Sequence, residues 1–349
     1  MDEGMDLMTV EQRRDGARTA DARAPLASLS ETEALRLVTR VAWLYHVRSM
    51  KQSEVADELG LSQSRVSRLL DAAVSLGIVT TTVRVPPGLH VELEHALQDA
   101  YGLRGAYVFD LPAVSDDSDY LVDLGRTLAA YLIENPLVGD IIGFTSWSRT
   151  LRETVRVLEI TNPATASYVV EMLGDVGPPE VQHGAADVTQ QLARMTGAQP
   201  RFLRVPGVVT SREVRDTILG HDNHARETLA MLDRVDEALV GIGTCKVDAP
   251  IRPGENFFTL EQMEHARQLG AVGQVNLRFI DEAGNAIESE LDELVIGVRL
   301  DQLRSFERSI AVAGGPGKYA AIRGSLLGGW VNTLITDVAT AQHLVAKAP

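Results

Sequence analysis

Apolar residues early in the chain recur at three- and four-residue steps. From Glu31 onward Leu35, Val38, Val41, Ala42 and Tyr45 share one stripe, the spacing of an amphipathic helix. Ser30, with Glu33 three residues on, supplies a capping box for its start, and the helix is expected to reach about Val47. A second, shorter helix is predicted over Gln52 to Leu59, with Val55, Ala56 and Leu59 turned inward and a left-handed stop at Gly60. Ser62 then caps a third helix whose apolar side is Val66, Leu69, Leu70 and Ala73, ending near Gly77. A small residue at 56, glycine at 60 and an aliphatic at 66 stand where a helix-turn-helix needs close packing, a tight turn and a core contact. The alternating, β-branched run IVTTTVRV that follows, closed by Pro86 and Pro87, predicts the strand or hairpin of a winged helix.

The period then changes twice. LHVELEHALQDAY sets Leu89, Leu93, Leu97 and Tyr101 at four-residue steps, a linker helix over 88–104 whose stripe is read as a dimer seam rather than as packing on its own domain. His90 and His95 fall off that stripe and are expected at the surface. Beyond Gly105, short β-rich runs alternate with helical ones, which predicts a mostly parallel α/β domain over 105–349. The strands expected are GAYVFDL, DIIGFT, ASYVVEML, RFLRVP, EALVGIG, SIAVAGG and NTLITD, with a small antiparallel insertion over 271–300 turning at Asp281 to Gly284. Residues 1–28 show no sustained period and are expected to be a disordered tail. The helix-turn-helix domain then occupies 29–87.

Composition narrows the function classes. The chain has 349 residues, 45% of them hydrophobic, and 33 basic against 48 acidic residues give a formal net charge of −15. Such a balance argues against a surface coated in nucleic acid or lying on an anionic membrane. Between Leu35 and Arg84 the sign reverses, with seven basic and four acidic residues. No apolar run approaches the roughly 20 residues of a membrane-spanning helix, and the N-terminus has no apolar core of a signal peptide, so a cytoplasmic protein is expected. The one cysteine, Cys245, excludes an intrachain disulfide or a cysteine-based zinc site and is read as a small buried hydrophobe.

If Val66, Leu69 and Leu70 face the core, the front of the third helix points outward. Gln63 can pair with adenine and Arg68 with guanine in a major groove, while Ser62 and Ser64 reach phosphates. Arg65 and Ser67, with Lys51 and Gln52 at the start of the second helix, complete a candidate surface for double-stranded operator DNA. An ordinary solvated helix face does not predict the local reversal of charge.

In a parallel sheet the informative residues follow the strands. After DIIGFT come Ser146, Trp147, Ser148, Arg149 and Thr150, opening a helix whose exposed N–H groups suit an anion. Thr244 follows EALVGIG, GAVGQ over 270–274 opens the insertion, and Pro316, Gly317 and Lys318 follow SIAVAGG. Glycines allow close backbone approach and a lysine gives a point charge for phosphate. A small anionic ligand with hydroxyls, best a sugar phosphate, fits these ends together.

GFTSWSRTL, GAVGQVNLRFID and the closing KYAAIRGSLLGGWVNTLITDVATAQHLV, joined to the helix-turn-helix, resemble the SorC-type sugar-binding transcriptional regulators. The resemblance runs from about Leu35 to the end, and its most specific parts are GG-x-x-K at 314–318 and LITD-x-x-TA at 334–341. It implies an effector domain with the fold of glucosamine-6-phosphate deaminase and ribose-5-phosphate isomerase, a phosphorylated sugar or polyol as effector, control of a carbohydrate catabolism operon, and a homodimer or homotetramer. By that resemblance Gly143, Thr145, Ser146 and the following turn with Trp147 and Arg149, together with Lys318, hold the phosphate, Gly273 and Gln274 border the sugar, and Gly243, Gly314 and Gly315 complete the candidate effector-binding set. Two positions depart from the pattern: Gln274 stands where an acidic residue is common, and Ser148 where a glycine often follows the tryptophan.

The rival reading is a sugar-phosphate isomerase or deaminase, for which Asp110, Asp248 and Asp337 are candidate bases. Asp337 sits at a strand-to-helix junction, where capping explains it better. His221 and His224 have a metal-like spacing on a helix without a further ligand in view, so surface roles are expected and no metal or cofactor is. His183 is read as a loop residue. A regulatory partner without a ligand is the third class.

Overall fold

The computed structural model describes residues 30–111, 117–159, 166–247 and 249–349; the expected tail at 1–28 and Asp248 lie outside them. The chain divides into two compact units, the first ending at Arg84 and the second running from Val85 to Pro349.

The first unit is three helices, α1 (Glu31–His46), α2 (Gln52–Leu59) and α3 (Gln63–Ser75). Its core is Val38, Val41, Ala42 and Leu44 of α1 against Val55 and Ala56 of α2 and Val66, Leu69, Leu70, Ala72 and Ala73 of α3. The predicted capping box forms, with Glu33 Oε2 accepting from Ser30 N at 3.0 Å and Ser30 Oγ accepting from Glu33 N at 3.4 Å. Gly60 closes α2 at φ 62°, ψ 36°, a conformation costly for a residue with a Cβ. The expected wing strand is absent: residues 78–87 form no ladder and 80–87 are exposed. A single β-rich run has no partner strand in this unit, and the two prolines have no N–H to donate to one.

The second unit is a three-layer α/β/α structure. Its elements run α4 (Val91–Tyr101), β1 (Gly105–Phe109), α5 (Asp117–Glu134), β2 (Ile141–Phe144), α6 (Arg149–Val157), β3 (Tyr168–Glu171), α7 (Pro179–Thr196), β4 (Gln199–Arg201), α8 (Arg212–His221) and α9 (Asn223–Met231). They continue β5 (Glu237–Val240), β6 (Ile242–Gly243), α10 (Leu260–Gln268), β7 (Gly273–Val275), β8 (Arg278–Ile280), α11 (Leu300–Ser305), β9 (Arg308–Val312), α12 (Tyr319–Leu327), β10 (Thr333–Asp337) and α13 (Val338–Ala346). Seven strands form one sheet in the order β1-β10-β9-β5-β2-β3-β4, every pair parallel. Alternate residues serve opposite faces. Ala106, Val108, Ile141, Ala238, Val240, Ala311 and Leu334 join α4, α12 and α13 residues in one core, and Ile142, Phe144, Leu239, Ile310, Val312 and Ile335 join α5, α6 and α7 residues in the other. Burial on both faces is why these strands read as continuous apolar runs.

Three expectations are corrected. RFLRVP contributes only its first residue to a strand, β4, and its remainder turns away, Leu203 N donating to the buried Glu171 at 3.0 Å. EALVGIG is two strands: β5 belongs to the parallel sheet, and past Gly241 β6 begins the antiparallel β6-β7-β8 sheet. The insertion also has a second, tighter turn at Asn276–Leu277, between β7 and β8, besides the one closing at Gly284.

The linker-helix stripe is spent inside its own unit. Leu97 is fully buried in the main core, with Leu93 and Tyr101 packed against it, and Tyr101 Oη donates to the Leu344 carbonyl of α13 at 2.8 Å. Only Leu89, at 56% exposure, stays outside. Leu97→Ala is therefore expected to lower the unfolding free energy by about 2–5 kcal/mol and Leu89→Ala by no more than about 0.5 kcal/mol. Denaturant titrations that changed with protein concentration instead would restore the seam.

Candidate functional site

On the first unit, the structure places Ser62, Gln63, Ser64 and Arg68 on the exposed front of α3, with Lys51 exposed at the N-cap of α2. Gln52 and Ser67 are half-buried. Arg65 is half-buried too, and its Nε is enclosed without a hydrogen-bond partner, so it faces the groove less freely than Arg68. Ser62 is the N-cap, its Oγ accepting from Arg65 N at 3.3 Å and lying 3.2 Å from Ser64 Oγ. Arg68 Nε leans back to the Ser64 carbonyl at 3.4 Å, a long bond that leaves its terminal nitrogens outward. A short polar row on one helix front, opposite an aliphatic side at 66, 69 and 70, is the form a recognition helix takes.

In the second unit, chain order fixes where a ligand site belongs. The chain moves from β2 outward to β3 and β4, then returns to set β5 on the other side of β2 and continues to β9 and β10. The order therefore reverses between β2 and β5, and the crevice at such a reversal is where open α/β sheets bind ligands. Thr145 N donates to the Leu239 carbonyl at 3.1 Å across that junction. Thr145 is fully buried and Ser146 nearly so. Ser148 caps α6, accepting from Leu151 N at 3.4 Å, which explains a serine where glycine is the commoner choice and fixes the helix start at Arg149. Arg149 is exposed on that first turn. Trp147 turns against Phe257, ring centroids 6.4 Å apart.

The insertion closes over the same junction. Gly243 of β6 pairs with Gln274 of β7, and the Gln274 side chain occupies the space where a Gly243 Cβ would sit. Gly273 admits Ala321 of α12 in the same way. From the next strand end, Lys318 Nζ donates to the Ile242 carbonyl at 2.9 Å. Lys318 is the N-cap residue of α12. Thr145, Ser146, Gly243, Gly273, Gln274 and Lys318 thus gather at adjacent strand ends.

Three further predicted residues have structural roles of their own. Gly143 lies inside β2, where Met172 and Ala238 fill the room its missing side chain leaves. Gly314 makes space for Tyr120, whose hydroxyl donates to Asp337 Oδ2 at 2.5 Å, and Gly315 holds φ 91°, a left-handed angle that suits glycine. Asp337 in turn caps α13, accepting from Thr340 N at 2.9 Å and Thr340 Oγ1 at 2.6 Å, and Thr340 Oγ1 accepts from Gly315 N at 2.9 Å. Burial raises the Asp337 carboxyl pKa, but hydrogen bonds from Thr340 and Tyr120 outweigh it and hold the group below the ordinary value. The Tyr120 hydroxyl is pushed far up by burial and by the Asp337 charge.

The sequence reading missed Asn276. It is fully buried, its Oδ1 accepts from Thr145 Oγ1 at 2.9 Å, and its Nδ2 has no partner. Asn276 and Leu277 form the β7–β8 turn at φ 48° and 62°, where a bulky residue costs about 1–2 kcal/mol. Leu277 is held there by burial among Phe258, Phe279 and Leu291 and by donating its N–H to Gln274 Oε1 at 2.7 Å. Asn-Leu lacks the glycine that marks a two-residue hairpin in a sequence, so the turn leaves no clear signal there.

The other candidates resolve simply. Asp110 is exposed and pairs with His90 at 2.9 Å, and His95 is exposed. His221 sits on α8 and His224 on α9, with Asp222 ending one helix and capping the next. Their ring nitrogens meet the carbonyls of Thr217 and Phe202, and no metal-ligating group of three occurs among the described residues. His183 is an exposed residue of α7 rather than of a loop. Cys245 is buried, which pushes its thiol up to about 11, away from nucleophilic use. Among the described residues no helix is long and apolar enough to cross a membrane.

A polar-fronted helix-turn-helix joined to a strand-end ligand site defines a ligand-responsive DNA-binding protein. The family model described as "Putative sugar-binding domain" matches residues 86–346. The deoxyribonucleoside regulator of Bacillus subtilis (strain 168) is 32% identical over 316 residues, 90% of this chain and 99% of that protein. The sorbitol operon regulator of Klebsiella pneumoniae is 29% identical over 322 residues, 91% and 100%. The crystal structure of full-length SorC from Klebsiella pneumoniae superposes with a TM-score of 0.63 at 27% identity, covering 89% of this chain and 98% of that one. The chain belongs to the SorC-type sugar-binding transcriptional regulators.

Because the Asp337 carboxyl is depressed in the fold, its stabilisation is present above the unfolded value of about 3.9 and lost as pH falls through the lower folded one. Asp337→Asn is expected to destabilise by about 1–3 kcal/mol near neutral pH, with the gap to the wild type narrowing below about pH 4 in denaturant titrations. A gap independent of pH would show that the charge is not what the network uses.

Proposed function

We propose that this protein is a cytoplasmic regulator of a carbohydrate catabolism operon, acting as a homodimer or homotetramer, whose hold on double-stranded operator DNA changes when a phosphorylated sugar or polyol binds at the β2/β5 strand ends. The observation that carries the reading is the gathering of Thr145, Ser146, Gln274 and Lys318 at the sheet's reversal point in a chain that also presents the exposed front of α3. Lys318 and the α6 N-terminus supply positive potential for the phosphate, and the buried hydroxyls and amides supply hydrogen bonds for the polyol. The relatives named as deoxyribonucleoside and sorbitol operon regulators agree with a small carbohydrate derivative.

Ligand and DNA then act on each other through one coupling free energy, so each changes the other's affinity by the same factor. The enzyme alternative lacks a poised base among the described candidates: Asp337 is committed to its cap and Asp110 to an exposed pair with His90.

At the DNA end, Arg68→Ala or Gln63→Ala is expected to cost about 1–3 kcal/mol at the preferred operator and to flatten sequence preference. Lys51→Ala is expected to weaken all DNA alike and to reduce the salt slope by about 1. Fluorescence anisotropy at several salt concentrations measures both, and an Arg68→Ala protein with unchanged affinity and preference overturns the assignment. At the effector end, Lys318→Ala should abolish the ligand's effect on a DNA footprint while leaving ligand-free binding intact; equal loss of both would indicate misfolding.

A further inference from the structure

A buried carboxamide carries two kinds of hydrogen-bonding atom, and a protein that encloses one normally answers both. Asn276 is the exception at the strand-end site. It is fully buried, yet only Thr145 answers it, at 2.9 Å, and its other polar atom has no partner. Whichever way the amide is turned, one end meets the Thr145 hydroxyl and the other is left over.

Its surroundings make this more than a packing accident. Asn276 stands in a turn at φ 48°, followed by Leu277 at φ 62°, and such left-handed geometry at non-glycine residues persists where neighbours over-determine it. Gln274 does so here: its Oε1 accepts from Leu277 N at 2.7 Å, and the remainder of its side chain lies over Gly243. Gln274, the residue that the family resemblance sets beside the sugar, thus spends its Oε1 on the turn. The neighbouring amide two residues on is enclosed with one polar atom unanswered, beside the Thr145 that follows β2.

We propose that Asn276 is the residue that reads an oxygen of the ligand's polyhydroxylated part, with Gln274 as the positioning residue that holds its turn. This rests on the strand-end reading given above and names the specificity element within it. The ligand class it selects is a phosphorylated sugar or polyol over phosphate alone: Lys318 and the α6 terminus take the phosphate, and Asn276 separates ligands that bring a hydroxyl to it from those that do not. Because the open atom is enclosed in the ligand-free protein, the β7–β8 turn must shift for contact.

The test is isothermal titration of the full chain with sorbitol phosphate, deoxyribose phosphate, erythritol phosphate and inorganic phosphate. The wild type should bind at least one of the three carbohydrate phosphates more tightly than inorganic phosphate. Asn276→Leu, close in shape, should raise the Kd for that ligand by roughly 10- to 100-fold and leave the Kd for inorganic phosphate unchanged. Asn276→Ala repeats the measurement should the leucine protein fail to fold, with the ligand-free melting temperature as the check. A Kd for the carbohydrate phosphate unchanged by either substitution overturns the role of Asn276 while the strand-end site stands. Equal weakening of carbohydrate phosphate and inorganic phosphate also overturns it, since a merely structural residue does that. Wild-type binding no tighter than for inorganic phosphate overturns the effector reading, and this proposal with it.

Discussion

The constraint from which the rest follows is a parallel sheet covered on both faces. The inner strands have no solvated side and must be apolar on alternate residues in both directions, and their polar residues are then pushed toward the strand ends, only the edge strand β4 reaching solvent. With β2 and β5 side by side but departing in opposite directions along the chain, the crevice between their ends has no connection passing over it. Thr145, Ser146 and, through β6, Gly243 are carried there by backbone continuity alone. The insertion then adds Gln274 and Asn276 from above, and the helix after β9 adds Lys318 from the side.

The first unit obeys a different rule. Among the described residues its core is eleven buried apolar side chains on three helices, so local signals have to settle its geometry: a capping box at Ser30, a left-handed glycine at 60, a serine cap at 62. Each of these fixes where a helix begins or ends, and α3 is short enough for a start misplaced by one residue to turn Gln63, Ser64 and Arg68 by about 100°. The polar front is therefore a product of the caps as much as of the apolar stripe.

That difference explains what could be read from the residues. The helix-turn-helix was legible because its signals are local, and the central strands because double burial makes them conspicuous runs. The wing was misread since alternation in IVTTTVRV states a preference without stating a partner. Leu97 was misread because a stripe at four-residue spacing is the same whether it meets a second chain or its own α13. At the strand ends, Lys318 and Ser146 stand out by position after a strand, whereas the close contacts of Gly143 with Met172 and of Gly314 with Tyr120 join residues far apart in the chain and leave no mark in it. Asn276 was invisible for the opposite reason: its significance is a hydrogen bond that is not made, and no pattern of residue types announces one.

If Lys318 takes the phosphate as proposed, its bond to the Ile242 carbonyl weighs against the ligand. An anion that recruits this ammonium competes with an internal acceptor already in place, so part of its binding energy is consumed in separating the helix after β9 from the start of the small sheet. On the proposed reading, the ligand concentration needed for a given occupancy rises with the strength of that contact, a set point fixed by the protein. Strengthening that internal contact would raise the set point without touching any atom of the ligand.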